Sequence, residues 1–347
     1  SPIRDHLVLF IRTAYRKMEL QMPRARNAQI AVEATPYYHC VSRCVRRAFL
    51  CGRDSHTGQD FSHRREWIET RLLKLAKVFA LDVCAYAVMS NHVHVVLHIN
   101  RAEADTWSFR ATIQRWHQLF KGTVFSQRYL RGDALEGAEM RKLEEQVALW
   151  RARLQEISWF MRCLNEDIAR RANFEDNCTG RFWEGRFKSQ ALLDEQALAA
   201  CLAYVDLNPV RAGMARTPEA SDFTSVRKRV QQHQQKASSE RTPLFPFAGN
   251  PRKEMPVGLP FRFEDYLELV DWTGRHIRED KKGSIPGDLP PILQRLQIDP
   301  QHWLYMSQHF ESRFKGLVGT AYSLRTACQR MGYQRAVGVG CCQALFG

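Results

Sequence analysis

Leu81-Asp82-Val83-Cys84-Ala85-Tyr86-Ala87-Val88-Met89-Ser90-Asn91-His92-Val93-His94-Val95-Val96-Leu97-His98-Ile99 holds two apolar, β-branched runs separated by a Ser-Asn pair. Leu81 to Met89 and His92 to Ile99 are each strand length, and Ser90-Asn91 supplies turn chemistry, so the stretch reads as a β-hairpin. Just upstream, His63 to Phe79 places Trp67, Leu72, Leu75 and Phe79 at helical spacing with Arg and Lys between them. Earlier still, Tyr37 to Val45 alternates as a strand. Strand, helix, strand, strand opens a ferredoxin-like α+β fold with an antiparallel sheet.

Downstream, Trp107, Ile113, Trp116 and Phe120 suggest one helix and Met140 to Asn173 one or two more, a helical insertion over about 105–175. Gly180 to Gly185 interrupts the pattern, and Arg186 to Leu193 reads as another strand. Asp194 is an N-cap candidate for a helix over Glu195 to Leu207, which Pro209 closes by forcing its neighbour out of helical geometry. Gln231 to Pro260 is rich in Gln, Ser, Pro and Gly, a linker composition. Phe261 to Thr273 and Trp303 to Met331 look helical. The expected organisation is an upstream extension outside the fold (1–21), a main domain (22–230), a linker (231–260) and a helical accessory region at the C-terminus (261–347).

The chain has 347 residues, 44% hydrophobic and 25% charged, an ordinary globular composition. Its formal charge of +14 and pI near 9.5 favour polyanionic partners. Between Met22 and Arg65 eight Lys or Arg face three Asp or Glu, a net of +5. Ten cysteines lack paired C-x-x-C spacing, which argues for reduced thiols rather than a zinc knuckle or a disulfide framework. The apolar run Leu7 to Ile11 is too short to span a bilayer. The expectations are a cytoplasmic location and no membrane partner.

Side chains alternate along a strand, so His92 and His94 share one face while Val93, Val95 and Leu97 share the other. Two imidazoles about 7 Å apart along the strand can reach one ion. A strand that merely carries histidines is the alternative. His98, further along the same face, reads as a bystander.

Cys201-Leu202-Ala203-Tyr204-Val205-Asp206-Leu207-Asn208-Pro209 carries the second constellation. Tyr204 and Asn208 are four apart, one turn above each other on a helix. Asn208 offers a neutral oxygen ligand and Tyr204 a phenol, which beside a cation-bound phosphate becomes a usable nucleophile. A tyrosine at the edge of the core is the alternative. Arg43, Arg46 and Arg47 follow the first strand, and Arg181, Arg186 and Lys188 surround Phe182 and Trp183. Cations among aromatics suit a single nucleic-acid strand, with phosphates paired and bases stacked; the two aromatics read equally well as core anchors.

Four blocks together resemble the REP-associated tyrosine transposases, a branch of the HUH single-tyrosine transposases. They are Pro36-Tyr37-Tyr38-His39-Cys40-Val41-Ser42-Arg43, Met89-Ser90-Asn91-His92-Val93-His94, Gly180-Arg181-Phe182-Trp183-Glu184-Gly185-Arg186-Phe187-Lys188 and Tyr204-Val205-Asp206-Leu207-Asn208-Pro209-Val210-Arg211-Ala212-Gly213. They occur in the family's order across roughly residues 36 to 230. The resemblance implies a ferredoxin-like HUH catalytic domain with inserted helices and a helical C-terminal extension. It implies His92 and His94 as metal ligands, Asn208 as a third, Tyr204 as nucleophile, and Mg2+ or Mn2+ as the ion. The implied reaction is cleavage and rejoining of single-stranded DNA at hairpin-forming palindromic repeats through a 5′-phosphotyrosyl intermediate. A monomer with both halves of the site in one chain is the expectation, with a dimer that exchanges them as the alternative. A repeat-hairpin binding protein without catalysis, and a hydrolase that uses water with Tyr204 structural, are the competing functions.

Overall fold

The computed structural model describes residues 33–45, 50–54, 58–234, 243–249, 257–278, 289–333 and 338–346. The expected extension 1–21 and the candidate DNA contacts Arg46 and Arg47 lie outside them. In chain order, β1 (Tyr37–Arg43) leads to α1 (Arg64–Val78), β2 (Leu81–Val88) and β3 (His92–Ile99). The segment before the next strand carries α2 (Arg101–Thr106), α3 (Phe109–His117), α4 (Val124–Arg131), α5 (Gly137–Arg153) and α6 (Ile157–Glu175). Next come β4 (Lys188–Leu192), α7 (Glu195–Asp206), the single turn α8 (Asn208–Arg211) and α9 (Ser225–Gln234). The C-terminal part holds α10 (Phe263–Arg278), α11 (Pro291–Leu296), α12 (Pro300–Arg313), β5 (Leu317–Val318), α13 (Ala321–Arg330) and α14 (Val339–Phe346).

The strands are ordered β2-β3-β1-β4-β5. β2 pairs antiparallel with β3, β3 with β1 and β1 with β4, which is the ferredoxin-like arrangement with β1 and β3 at the centre. The fold is α+β. A fifth strand departs from the expected all-antiparallel sheet, because β5 adds to the edge parallel to β4.

Residue parity divides the sheet into two faces. Tyr38, Cys40 and Ser42 of β1 share a face with Val93, Val95 and Leu97 of β3. Helices α1 and α6 cover it: Tyr86 Oη donates to Glu69 Oε1 at 2.6 Å, and Asn165 Nδ2 to Ser42 Oγ at 2.8 Å. Phe79 meets Phe160 edge-on at 5.3 Å. The opposite face carries His39, Val41 and Arg43 alongside His92, His94 and Val96, and α7 packs there. Every α7 residue from Ala197 to Asp206 is buried. A helix apolar all round must be covered on all sides, and α12 provides part of that cover through Phe310, 5.7 Å from the Tyr204 ring.

Asp194 caps α7 as expected, accepting from Ala197 N at 3.0 Å. Its second oxygen accepts from Thr320 N at 2.7 Å, tying the helix start to the segment after β5. A Cβ at Gly319 would lie 2.8 Å from that oxygen, so the approach requires glycine. At the other end of α7, the buried Asp206 carboxylate accepts from Ser225 Oγ at 2.5 Å, Val226 N at 3.0 Å and Tyr266 Oη at 2.6 Å.

Several sequence expectations are redrawn. The run from Trp107 to Phe120 is not one helix: Trp107 terminates α2, and Ser108 caps a new helix by accepting from Ala111 N. Trp303 to Met331 is broken between α12 and α13, where Gly316, at φ +71°, turns the chain into β5. Within the expected linker, α9 runs to Gln234, and Leu244 and Phe245 are buried, with Phe245 N donating to Val83 O at 2.9 Å. The expected accessory region is woven into the same unit, Val32–Gly347, through β5 and the packing of α12 on α7.

Candidate active site

β3 sets His92 and His94 two residues apart, with ring centroids 4.7 Å from each other at 82°. α7 brings Tyr204 over the same face, its ring 5.6 Å from His94 and perpendicular to it. The contact is made within one chain. His94 is fully buried and Tyr204 is 5% exposed, so this face is roofed rather than open. His98 stands apart, its Nδ1 2.8 Å from Asp82 Oδ2 and its ring stacked on Phe245.

Sequence reading missed a third imidazole. His39 on β1 lies with Nε2 2.9 Å from His94 Nδ1 and Nδ1 2.7 Å from Gln190 Oε1. Gln190 on β4 in turn donates from Nε2 to Phe314 O at 2.6 Å. His39 sits two residues from Val41 on the alternating pattern of β1, which was the available signal. The cross-strand register Val41↔His94 and His39↔Gln190 was not legible in the sequence.

Burial governs the charge state of all three rings. Loss of solvent pushes His92 down to about 3, helped by the positive charges of Arg43 and Arg211. Burial lowers His94 well below the ordinary imidazole value, and lowers His39 despite its hydrogen bond to Gln190. Neutral imidazoles keep the lone pairs that a cation needs.

Burial raises the Tyr204 phenol, and the nearby Arg211 guanidinium opposes that shift. Arg211 Cζ stands 4.1 Å from the Tyr204 ring centroid. Its Nη2 donates to Asn208 Oδ1 at 2.8 Å and its Nη1 to Ser307 O at 3.1 Å. The oxygen expected to ligate a metal is therefore engaged by a cation already. Pro209 ends α7, so Asn208 starts the separate turn α8 and faces Arg211 within it.

The donor set fits a divalent ion at the two β3 histidines. His94 Nε2 is among the buried polar atoms of the described residues without a hydrogen-bond partner, and a bound cation would satisfy it. Among the described residues no cluster of three or more His, Cys, Asp or Glu is arranged to hold a metal. Two imidazoles leave the remaining positions to oxygens from elsewhere.

Arg43 is the cross-strand partner of His92 and lies 3.6 Å from Glu311 of α12. Lys188 pairs with Val41, on the same face. Arg181, Arg186 and Lys188 are exposed. The Gly180 block runs along the end of β1, with Val45 N donating to Phe182 O at 3.0 Å and Glu184 N to Arg43 O at 2.9 Å. Phe182 is buried and Trp183 Nε1 donates to Asn165 O at 2.8 Å. Both aromatics anchor this segment to the core, while the basic side chains around them stay available.

With this geometry in hand, comparison with solved structures finds a likeness to a REP-associated tyrosine transposase bound to a REP hairpin. The two chains are 12% identical, and the alignment covers 64% of this chain and 90% of that one with a TM-score of 0.33. No family model and no curated protein matches the sequence. No helix among the described residues is long and apolar enough to cross a membrane.

Proposed function

We propose that the protein is a metal-dependent tyrosine transposase that nicks and rejoins single-stranded DNA at hairpin-forming repeats. The supporting observation is the meeting of His92, His94 and Tyr204 on one sheet face, with the orphaned His94 Nε2 among them. His92 and His94 would hold Mg2+ or Mn2+, which as a Lewis acid supplies charge stabilisation at the scissile phosphate.

The side chains divide the remaining work. Arg211, against the Tyr204 ring, favours the phenolate and so eases loss of the phenolic proton. Tyr204 Oη attacks phosphorus as the bond from phosphorus to the 3′-oxygen breaks. The phenol gives its proton to solvent and the leaving 3′-oxygen takes one up, so that the 5′-phosphate stays on the tyrosine and the freed 3′-hydroxyl can later reverse the step. Arg43, Arg181, Arg186 and Lys188 would pair with backbone phosphates along the strand. Asn208 is assigned to holding Arg211, because a guanidinium on its oxygen repels a second cation there. Location in the cytoplasm and action as a monomer belong to the same reading.

A second reading, a hairpin-binding protein without catalysis, draws support from Phe310, which lies against Tyr204 and His39. A labelled single-stranded hairpin incubated with the protein and Mn2+ separates the two. A covalent protein–DNA adduct is expected, and Tyr204→Phe abolishes it while hairpin binding stays within a few-fold. Binding with no adduct supports the second reading, and cleavage without an adduct makes water the nucleophile.

A further inference from the structure

We propose that His39, oriented by Gln190, is a positioning residue that sets the tautomer of His94 and leaves His94 Nε2 unprotonated as the donor to a divalent cation. The inference rests on the metal reading above and deepens it.

Phe314 O can only accept, so the Gln190 nitrogen 2.6 Å away is the donor, and this fixes which end of the amide faces His39. The end that faces it is Oε1, 2.7 Å from His39 Nδ1. An amide oxygen only accepts, so His39 Nδ1 carries a proton. His39 is fully buried, and among the described residues its hydrogen-bond partners are an amide and an imidazole, neither of them charged. A charged ring is costly there. A neutral ring has one N–H, already placed on Nδ1, so Nε2 is an acceptor. Its partner at 2.9 Å is His94 Nδ1, which must donate.

His94, also neutral, thereby spends its one proton on Nδ1. Nε2 is left bare, and among the described residues it is one of the buried side-chain nitrogens without a hydrogen-bond partner. A lone pair without a partner in the interior is unfavourable, and a cation would satisfy it. The relay starts on Phe314, at the end of α12, and crosses β4 and β1 before reaching β3. Segments far apart in the chain thus cooperate to choose one proton position.

The test reads the proton directly. Long-range 1H–15N correlation spectra of the metal-free full chain are expected to show His94 protonated at Nδ1. In His39→Phe, which removes the acceptor, His94 moves toward the Nε2–H form; in His39→Gln, whose amide oxygen can accept from His94, it stays. Mn2+ affinity without DNA, followed by electron paramagnetic resonance, falls roughly 10–100-fold in His39→Phe and recovers to within a few-fold in His39→Gln. Should His39→Phe fail to fold, Gln190→Leu serves instead, with His94 expected as a mixture of tautomers. A wild-type His94 protonated at Nε2 overturns the proposal without any variant, and so does a folded His39→Phe with unchanged tautomer. The expected tautomers in a wild-type protein that binds no Mn2+ would uphold the relay and sink the metal reading.

Discussion

Three neutral imidazoles packed on one strand pair have a thermodynamic consequence. In an unfolded chain each titrates near 6.5. In the folded protein His92 is pushed down to about 3, and burial lowers His39 and His94 too. Between those values the unfolded chain binds more protons than the folded one, so stability is lost as pH falls from about 6.5 toward 3. The slope is up to about 1.4 kcal/mol per pH unit for each ring. Urea unfolding in a chelating buffer should give a lower midpoint at pH 5 than at pH 7.5; an unchanged or higher midpoint would contradict the burial argument. Arg211 provides the second test at this scale. Arg211→Ala removes the cation beside the phenol, so adduct formation is expected to slow at neutral pH and recover partly at higher pH. A profile of unchanged shape would mean that the guanidinium does not act on Tyr204.

Elements bring these residues together only if their ends are pinned. α7 is held at its start by Asp194 and at its finish by Asp206, whose carboxylate joins Ser225 at the start of α9 to Tyr266 of α10. Burial raises the Asp206 carboxyl even though three donors favour its charged form. Tyr266→Phe keeps the ring and deletes one donor, leaving a buried oxygen short of a partner at a cost of roughly 1–3 kcal/mol. Denaturant titration should register that loss. A change within error would show that water replaces the hydroxyl. Periodicity made α1 readable because it buries one apolar face, whereas α7, buried on all sides, was marked by its ends, Asp194 and Pro209. Periodicity failed at Trp107 to Phe120 and at Trp303 to Met331, where a capping serine and a left-handed glycine cut apolar runs that spacing alone joins.

At the scale of the molecule, the C-terminal residues are part of the wall of the site. β5 extends the sheet at β4, Phe310 of α12 covers Tyr204, and Phe314 O anchors Gln190. Trp303, also on α12, is fully buried, with Nε1 donating to Thr273 Oγ1 at 2.9 Å. Removing residues 261–347 would strip the outer side of a helix that is apolar all round. Such a truncation is expected to be insoluble or to unfold without a cooperative transition, as scanning calorimetry would show. A soluble truncation with a sharp transition would mean that the first part of the chain folds alone.

The alternation that puts His92 and His94 on one face, the hairpin between β2 and β3, and the helix that carries Tyr204 were all written in local order. Covalent geometry repeats every two residues in a strand and every 3.6 in a helix, whatever surrounds them. The partnership of His39 with His94 had no such local mark. It depends on the register of β1 against β3, where a slip of one residue would send His39 to the opposite face. Gln190, Arg211 and the cover from α12 likewise arise from packing between distant segments, which only the folded chain could choose.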